Sequence, residues 1–208
     1  MSARTFFEAI ARRYDRDYAL SGKTSKERLA RVLSRIEGKR RVLVLGIGTG
    51  RELPALLDAD HEVQAIELAP SMIALCNQRA RRVPITEGDF YGPLPLADRS
   101  VDAVLALHGT LAHPPTAAAH HDLAREIARV LDPDGVFIAE VPSSKFLSVA
   151  HEVTGPTTFV HHDAQAGVSL KGVAFDAAGW QAAFAPLVVE ATPLGELEYL
   201  LVGRVARP

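Results

Sequence analysis

Residues 42–54 read V-L-V-L-G-I-G-T-G-R-E-L-P: four aliphatic residues run into three glycines at alternate positions, then into a helical-looking segment. An apolar run of that length, stopped by a turn, suits a strand buried on both faces of a parallel sheet. A glycine-rich turn between such a strand and a helix cradles a nucleotide-like ligand, because backbone amides converge at the helix N-terminus. Those amides suit a carboxylate as well as a phosphate. A strand of this kind needs parallel neighbours, and helices to cover both faces of the sheet they make.

The rest of the chain supplies them. Strands are expected at 41–45, 63–68, 85–87, 101–107 and 136–141, with helices at 51–57 and from Pro70 to about residue 81. Proline is tolerated in a first helical turn. Leu123, Ile127, Val130 and Leu131 mark a further long helix, ended by the turn signal Asp132-Pro133-Asp134-Gly135. After a helix at 180–184, strand candidates at 187–192 and 198–206 are joined by P-L-G-E, too short for a parallel crossover and suited to a hairpin. The alternation predicts an α/β fold, a doubly wound Rossmann-like sheet of seven strands, mostly parallel with one antiparallel strand from the C-terminal hairpin. Ahead of it, residues 5–20 look helical, with Phe6, Phe7, Ile10, Tyr14 and Tyr18 mostly on one face. Thr24-Ser25-Lys26-Glu27 fits a capping box with Thr24 as N-cap, opening a helix whose stripe of Leu29, Val32, Leu33 and Ile36 stops at Gly38. The length of 208 residues suits one domain over 1–208, with N-terminal helices and lid at 1–38 and a substrate-side insertion at 142–175.

The glycine spacing discriminates between ligands. The dinucleotide fingerprint G-x-G-x-x-G, started at Gly46, requires a third glycine at position 51, where Arg51 stands. The phosphate-loop pattern fails because no Gly-Lys-Ser/Thr follows. What remains is G-x-G-x-G.

Several segments then carry a resemblance, in order along the chain. V-L-V-L-G-I-G-T-G-R resembles motif I of the class I methyltransferases that use S-adenosylmethionine (SAM). I-E-L-A-P-S-M-I is similar to that family's second-strand end and following helix, and E-G-D-F resembles its adenine-binding segment. D-R-S-V-D-A-V-L-A-L and L-A-R-E-I-A-R-V-L-D-P-D-G-V-F-I-A-E resemble its fourth strand and its next helix, turn and strand. F-F-E-A-I-A-R-R-Y-D is similar to the start of many small-molecule members. The resemblance covers residues 40–141, and 176–206 more loosely. It implies SAM as cofactor and S-adenosylhomocysteine (SAH) as product. It also implies a cofactor site of Gly46, Gly48 and Gly50 in the turn, Glu67 on the ribose hydroxyls, and Leu68 and Met72 along the adenine. Asp89 would accept from the adenine amino group, the Phe90 N–H would face a ring nitrogen, and Tyr14 and Leu107 would lie against the cofactor. Glu67 stands where Asp is commoner; a carboxylate of either kind can accept both hydroxyl hydrogens.

The acceptor class follows from what is missing. The net charge of −2 and the lack of a basic run give no reason to expect nucleic acid, and no stretch approaches the length of a membrane span. The residues after strand four, Leu107-His108-Gly109-Thr110, lack the [DNS]-P-P-[YFW] of amino-methylating DNA enzymes, and Cys76 follows Leu75 rather than the proline of cytosine-C5 enzymes. A single cysteine and no signal peptide suggest the cytoplasm, and 18 Arg against 5 Lys suggests a GC-rich bacterial genome. The expected partner is a small-molecule acceptor, and the protein a monomer or homodimer.

Among the histidines, His108 and His113 follow strand four, where the family places its reacting groups. His108 is either a catalytic base or a spacer against the cofactor. His113, His151 and His161 are candidate acceptor contacts. His120-His121, about 100° apart on a helix and without an i+4 partner, are expected on a solvated face. His161-His162-Asp163 could ligate a metal, but adjacent residues rarely converge without a distant ligand, so none is expected. Residues 142–173, rich in Ser, Thr, His and Gly, read as irregular, a mobile lid over the acceptor. The implied reaction is methyl transfer to an O, N or C nucleophile. A catalytically silent SAM-binding regulator or sensor is the alternative.

Overall fold

A computed structural model describes residues 1–18, 22–79 and 83–206. The chain opens with α1 (Ala3–Ile10), a 3-10 turn over Ala11–Arg13 and the single turn α2 (Tyr14–Asp17), so the helix expected over 5–20 is broken into three pieces. The next helix, α3 (Gly22–Arg35), starts ahead of the expected cap, which puts Thr24 inside its first turn instead of at its N-cap. Then come β1 (Arg41–Leu45), α4 (Leu53–Asp58), β2 (Glu62–Glu67), α5 (Pro70–Arg79), β3 (Ile85–Glu87), β4 (Val101–Ala106), α6 (Ala119–Val130) and β5 (Leu131–Pro142). The expected end of α5 at residue 81 falls outside the described residues.

β5 begins five residues earlier than its apolar run. Leu131 pairs with Val101 and Val136 with Ala103, so Asp132–Gly135 loop out opposite a single residue. The turn chemistry of D-P-D-G survives as a bulge within the strand.

Residues 142–173 are not irregular. After a 3-10 turn over Ser144–Ser148 they form β6 (Glu152–Gly155), β7 (Thr158–Asp163) and β8 (Val168–Val173), an antiparallel sheet of order β6-β7-β8. The alternation was present: Phe159 and Asp163 on β7, and Val168 and Leu170 on β8, are buried at every second or fourth position. Gly155 closes β6, and Pro156 and Gly167 sit in the hairpin turns instead of interrupting a strand. Gly172 pairs with Phe159 and leaves room for its ring.

After α7 (Ala177–Ala183), the hairpin of β9 (Leu187–Pro193) and β10 (Glu198–Val205) completes the main sheet, of order β3-β2-β1-β4-β5-β10-β9. Only β10 runs against the rest. The strand order reverses between β1 and β4, the switch point beyond whose carboxyl ends a crevice forms in such sheets.

Each central strand feeds two cores. On β1, Leu43 and Leu45 join the layer under α6 and α7 that holds Phe137, Trp180 and Phe184. Val42 and Val44 join the opposite layer with Val32, Ile36, Leu53 and Leu56. Each such fully buried side chain stabilises the fold by about 1.5–3 kcal/mol. A third cluster of Phe6, Ile10, Met72, Val168 and Leu170 fastens α1 to α5 and β8, above the carboxyl ends of the main strands. No helix among the described residues is long and apolar enough to cross a membrane.

Candidate active site

The turn after β1 is shaped around space. Gly48 has φ +55, and a Cβ built on it would meet nothing within 4 Å. Its N–H donates to Glu67 Oε2 at 2.8 Å. Glu67 closes β2, and its Oε1 accepts from the N–H groups of Leu68 (2.8 Å) and Ala69 (2.9 Å). Burial pushes this carboxyl up, and the three N–H donors only partly offset that. Three of its roughly four acceptor positions are thus taken by backbone, leaving one on Oε2 for a ligand.

The other cofactor candidates divide. Gly46, Gly48, Glu67, Leu68, Met72, Asp89, Phe90 and Tyr14 line one cavity of about 760 Å³. Asp89 Oδ1 accepts from the Tyr91 N–H at 2.9 Å, which fixes the E-G-D-F turn. Tyr14 stacks on Tyr18 at 5.3 Å, with the Arg51 guanidinium 5.2 Å from its ring centre. Gly50 and Leu107 do not line the cavity: Gly50 packs over Cys76, and Leu107 is buried in the α3–α4 layer.

The same cavity extends under α1, α2 and the small sheet, where Phe6, Phe7, Tyr18, Phe146, Phe159 and Leu170 wall it. Three histidines reach this end. His108, at φ +56, donates its N–H to Glu140 Oε2 at 2.8 Å and turns Nε2 onto Glu52 Oε1. A carboxylate only accepts, so this nitrogen carries the hydrogen and has no lone pair to offer. Glu140 is 2% exposed and lies 4.0 Å from Arg28, which also pairs with Glu198. Burial pushes the Glu52 carboxyl up, but His108 and Arg51 outweigh it and hold it below the usual range.

His113 donates Nδ1–H to the Lys171 carbonyl at 2.7 Å, with the rings of Phe7 and Phe159 each 6.3 Å away. Burial pushes its imidazole down to about 4 against the help of that carbonyl. His161 meets the Tyr18 hydroxyl through Nε2 at 2.9 Å, and Tyr18 donates to Asp163 at 2.9 Å. His151 is exposed and outside the cavity, stacked on His161 at 4.8 Å.

His120 is not on a solvated face. It is 3% exposed, gives its Nε2 hydrogen to the Leu111 carbonyl at 2.7 Å and packs on Trp180 and Phe184. The chain returns from the small sheet into α7, whose Trp180 and neighbouring Phe184 cover this face of α6, which periodicity within α6 could not show.

A family profile described as "Methyltransferase domain" matches residues 43–139. No curated protein matches the sequence. Among solved structures, the CcbJ methyltransferase from Streptomyces caelestis superposes with a TM-score of 0.78 at 20% identity, covering 100% of both chains. A DhpI-SAM-HEP complex gives 0.77 at 18% identity over 98% of this chain and 99% of that one. The sugar N-methyltransferase KedS8 from Streptoalloteichus sp ATCC 53650 gives 0.70 at 22% over 100% and 94%. At these identities the likeness establishes the fold.

Proposed function

We infer, from a chain whose residues 43–139 are a methyltransferase domain on a class I fold, that this protein transfers a methyl group from SAM to an O, N or C nucleophile of a small-molecule acceptor. The observation that carries the reading is the empty space over Gly48, tied to Glu67 and continuous with an aromatic-walled chamber. A backbone turn with no side chain above it suits a ligand that lies directly on the chain.

The residues present fit SAM. The side-chain-free face of Gly48 would let it lie on the turn, the open acceptor position of Glu67 would take a ribose hydroxyl, and Asp89 and the Phe90 N–H would read the adenine, with Met72 and Leu68 against the ring. SAM when bound supplies an electrophilic methyl on a sulfonium. The chain aligns the acceptor with it and excludes water. Phe6, Phe7 and Ile10 of α1 and Phe159 and Leu170 of the small sheet form the cover that does so. His108, engaged by Glu52 and Glu140, anchors the end of β4 in place of acting as a base. The DhpI-SAM-HEP complex and the sugar N-methyltransferase are neighbours of this fold, which supports a small acceptor; the chamber volume lies within the range of small-molecule sites.

Calorimetry with SAM, SAH and NAD tests the cofactor, and a screen of acceptor mixtures read as acceptor-dependent SAH tests the transfer. Binding of SAM and SAH but not NAD is expected. Binding without SAH formation from any acceptor would favour the silent regulator, and NAD binding alone would end the reading.

A further inference from the structure

We propose that His113 orients the acceptor: its Nε2 lone pair receives the O–H or N–H hydrogen of an uncharged, flat ring compound held between Phe7 and Phe159. The inference rests on the methyl-transfer reading and adds the acceptor's chemistry to it.

Among the Nε2 atoms of the three histidines that line the cavity, the hydrogen bonds leave one free to accept. His108 spends its Nε2 hydrogen on Glu52. Tyr18 has one hydroxyl hydrogen and gives it to Asp163, so His161 must donate Nε2–H to the Tyr18 oxygen. His113 gives its Nδ1 hydrogen to the Lys171 carbonyl, an obligate acceptor, so the neutral ring carries its lone pair on Nε2. No hydrogen bond to that nitrogen occurs among the described residues, and His113 lines the cavity.

The buried charges at this end are already paired. Glu198 pairs with Arg28, Asp163 with Arg13 and Glu52 with His108. Lys171 is exposed, at the mouth of the cavity. An ionised acceptor would leave water without a buried partner to meet it, which is unfavourable. The rings of Phe6, Phe7, Phe146 and Phe159 suit a planar apolar body, edge or face on.

The groups facing His113 are Phe7 from α1, Phe159 and His161 from β7, and Lys171 from β8. Burial, with a smaller contribution from neighbouring His161, keeps His113 neutral through the physiological range. It is therefore a constant hydrogen-bond acceptor and a weak resting base. With a hydroxyl acceptor, the oxygen lone pair forms the bond to the methyl carbon as the C–S bond breaks and its electron pair stays on sulfur. The oxygen becomes a strongly acidic oxonium, its proton passes to Nε2, and the imidazolium releases it to water.

The test uses the full chain, ¹⁵N-histidine labelled and saturated with SAH, with phenol, anisole and benzoate as probes. His113→Phe assigns its resonance. An unprotonated Nε2 that does not titrate between about pH 5.5 and 8 is expected. Phenol should shift it saturably. Anisole, with the same ring and no donor, should bind about tenfold more weakly without that shift, the worth of one buried hydrogen bond, and benzoate should not compete with phenol. His113→Phe should keep SAH affinity but lose the preference for phenol over anisole. A protonated Nε2, titration near the ordinary histidine value, equal binding of phenol and anisole, or an unchanged preference in His113→Phe would each overturn the proposal. A protein that fails to bind SAH at all fails the methyl-transfer reading instead.

Discussion

Gly50 and Cys76 show how a turn that serves a ligand is also a packing joint. A Cβ on Gly50 would sit 2.6 Å from Cys76 Sγ and 3.2 Å from Leu53 Cδ1, and the residue has φ +74. Gly50→Ala should cost about 2–4 kcal/mol, from left-handed strain and overpacking together. Adding Cys76→Ala removes the obstructing sulfur and should return about 1–2 kcal/mol of that loss, although Cys76→Ala alone is mildly destabilising. Urea denaturation of the four proteins measures the coupling; a double variant no more stable than Gly50→Ala would mean the sulfur is not the obstacle. The glycines were readable because a missing side chain is a property of one residue. Glu140 and Glu198 were not. Each is a single carboxylate in an apolar strand, and only contact with residues as far away as Arg28, 170 positions from Glu198, gives it a role.

At the scale of elements, the cover over the site is held by a latch. Asp163 on β7 accepts from Arg13 and Tyr18, on either side of the α2 turn, and from the Ala166 N–H. Burial works to raise this carboxyl, but the Ala166 N–H, Arg13 and Tyr18 outweigh it and hold it below the usual range. A depressed carboxyl contributes stability that is complete above its unfolded value, near pH 4, and is lost as pH falls through the folded value. Asp163→Asn removes the charge at every pH. Hydrogen exchange at neutral pH should then quicken about tenfold in residues 3–18 and 158–173, on the order of one charge-assisted hydrogen bond, with β1, β4 and β5 unchanged. Unchanged exchange in the first two segments would mean that the hydrophobic cluster of Phe6, Ile10 and Leu170 holds the cover without the latch. The small sheet carrying Asp163 was hidden because its strands are polar on one face and flanked by turn residues, which reads as loop until the pairing of Phe159 with Gly172 is known. The main sheet was legible because its central strands are continuous apolar runs, and the start of β5 shifted where tertiary pairing made a bulge.

Over the whole molecule, burial of histidine sets the acid side of stability. His113, His120 and His161 are all pushed below the ordinary value, chiefly by burial, His113 to about 4. Each folded-state value is below the unfolded one, so between the two the unfolded chain binds more protons. Stability is then complete above about pH 6.5 and falls as pH is lowered. Glu67, raised by burial, works in the opposite sense, one group against three. Asp102, held down chiefly by Arg41, and Glu126, held down chiefly by Arg129, add their losses only below the carboxylate range. The expected curve therefore has two stages: a decline of about 1–3 kcal/mol per pH unit from pH 6.5 to 5, then a steeper one below 4. His120 is the most enclosed of the three and gives the cleanest variant. His120→Leu keeps Tyr91 as a donor to the Leu111 carbonyl at 3.0 Å and fills the space among Trp180 and Phe184 with an apolar side chain. Its slope above pH 5 should be shallower by up to about 1.4 kcal/mol per pH unit, one proton's worth. Urea denaturation at pH 8, 7, 6 and 5 reads both slopes. A wild-type protein equally stable from pH 8 to 5 would mean that these imidazoles protonate freely in place. That result would also remove the neutral His113 on which acceptor recognition depends.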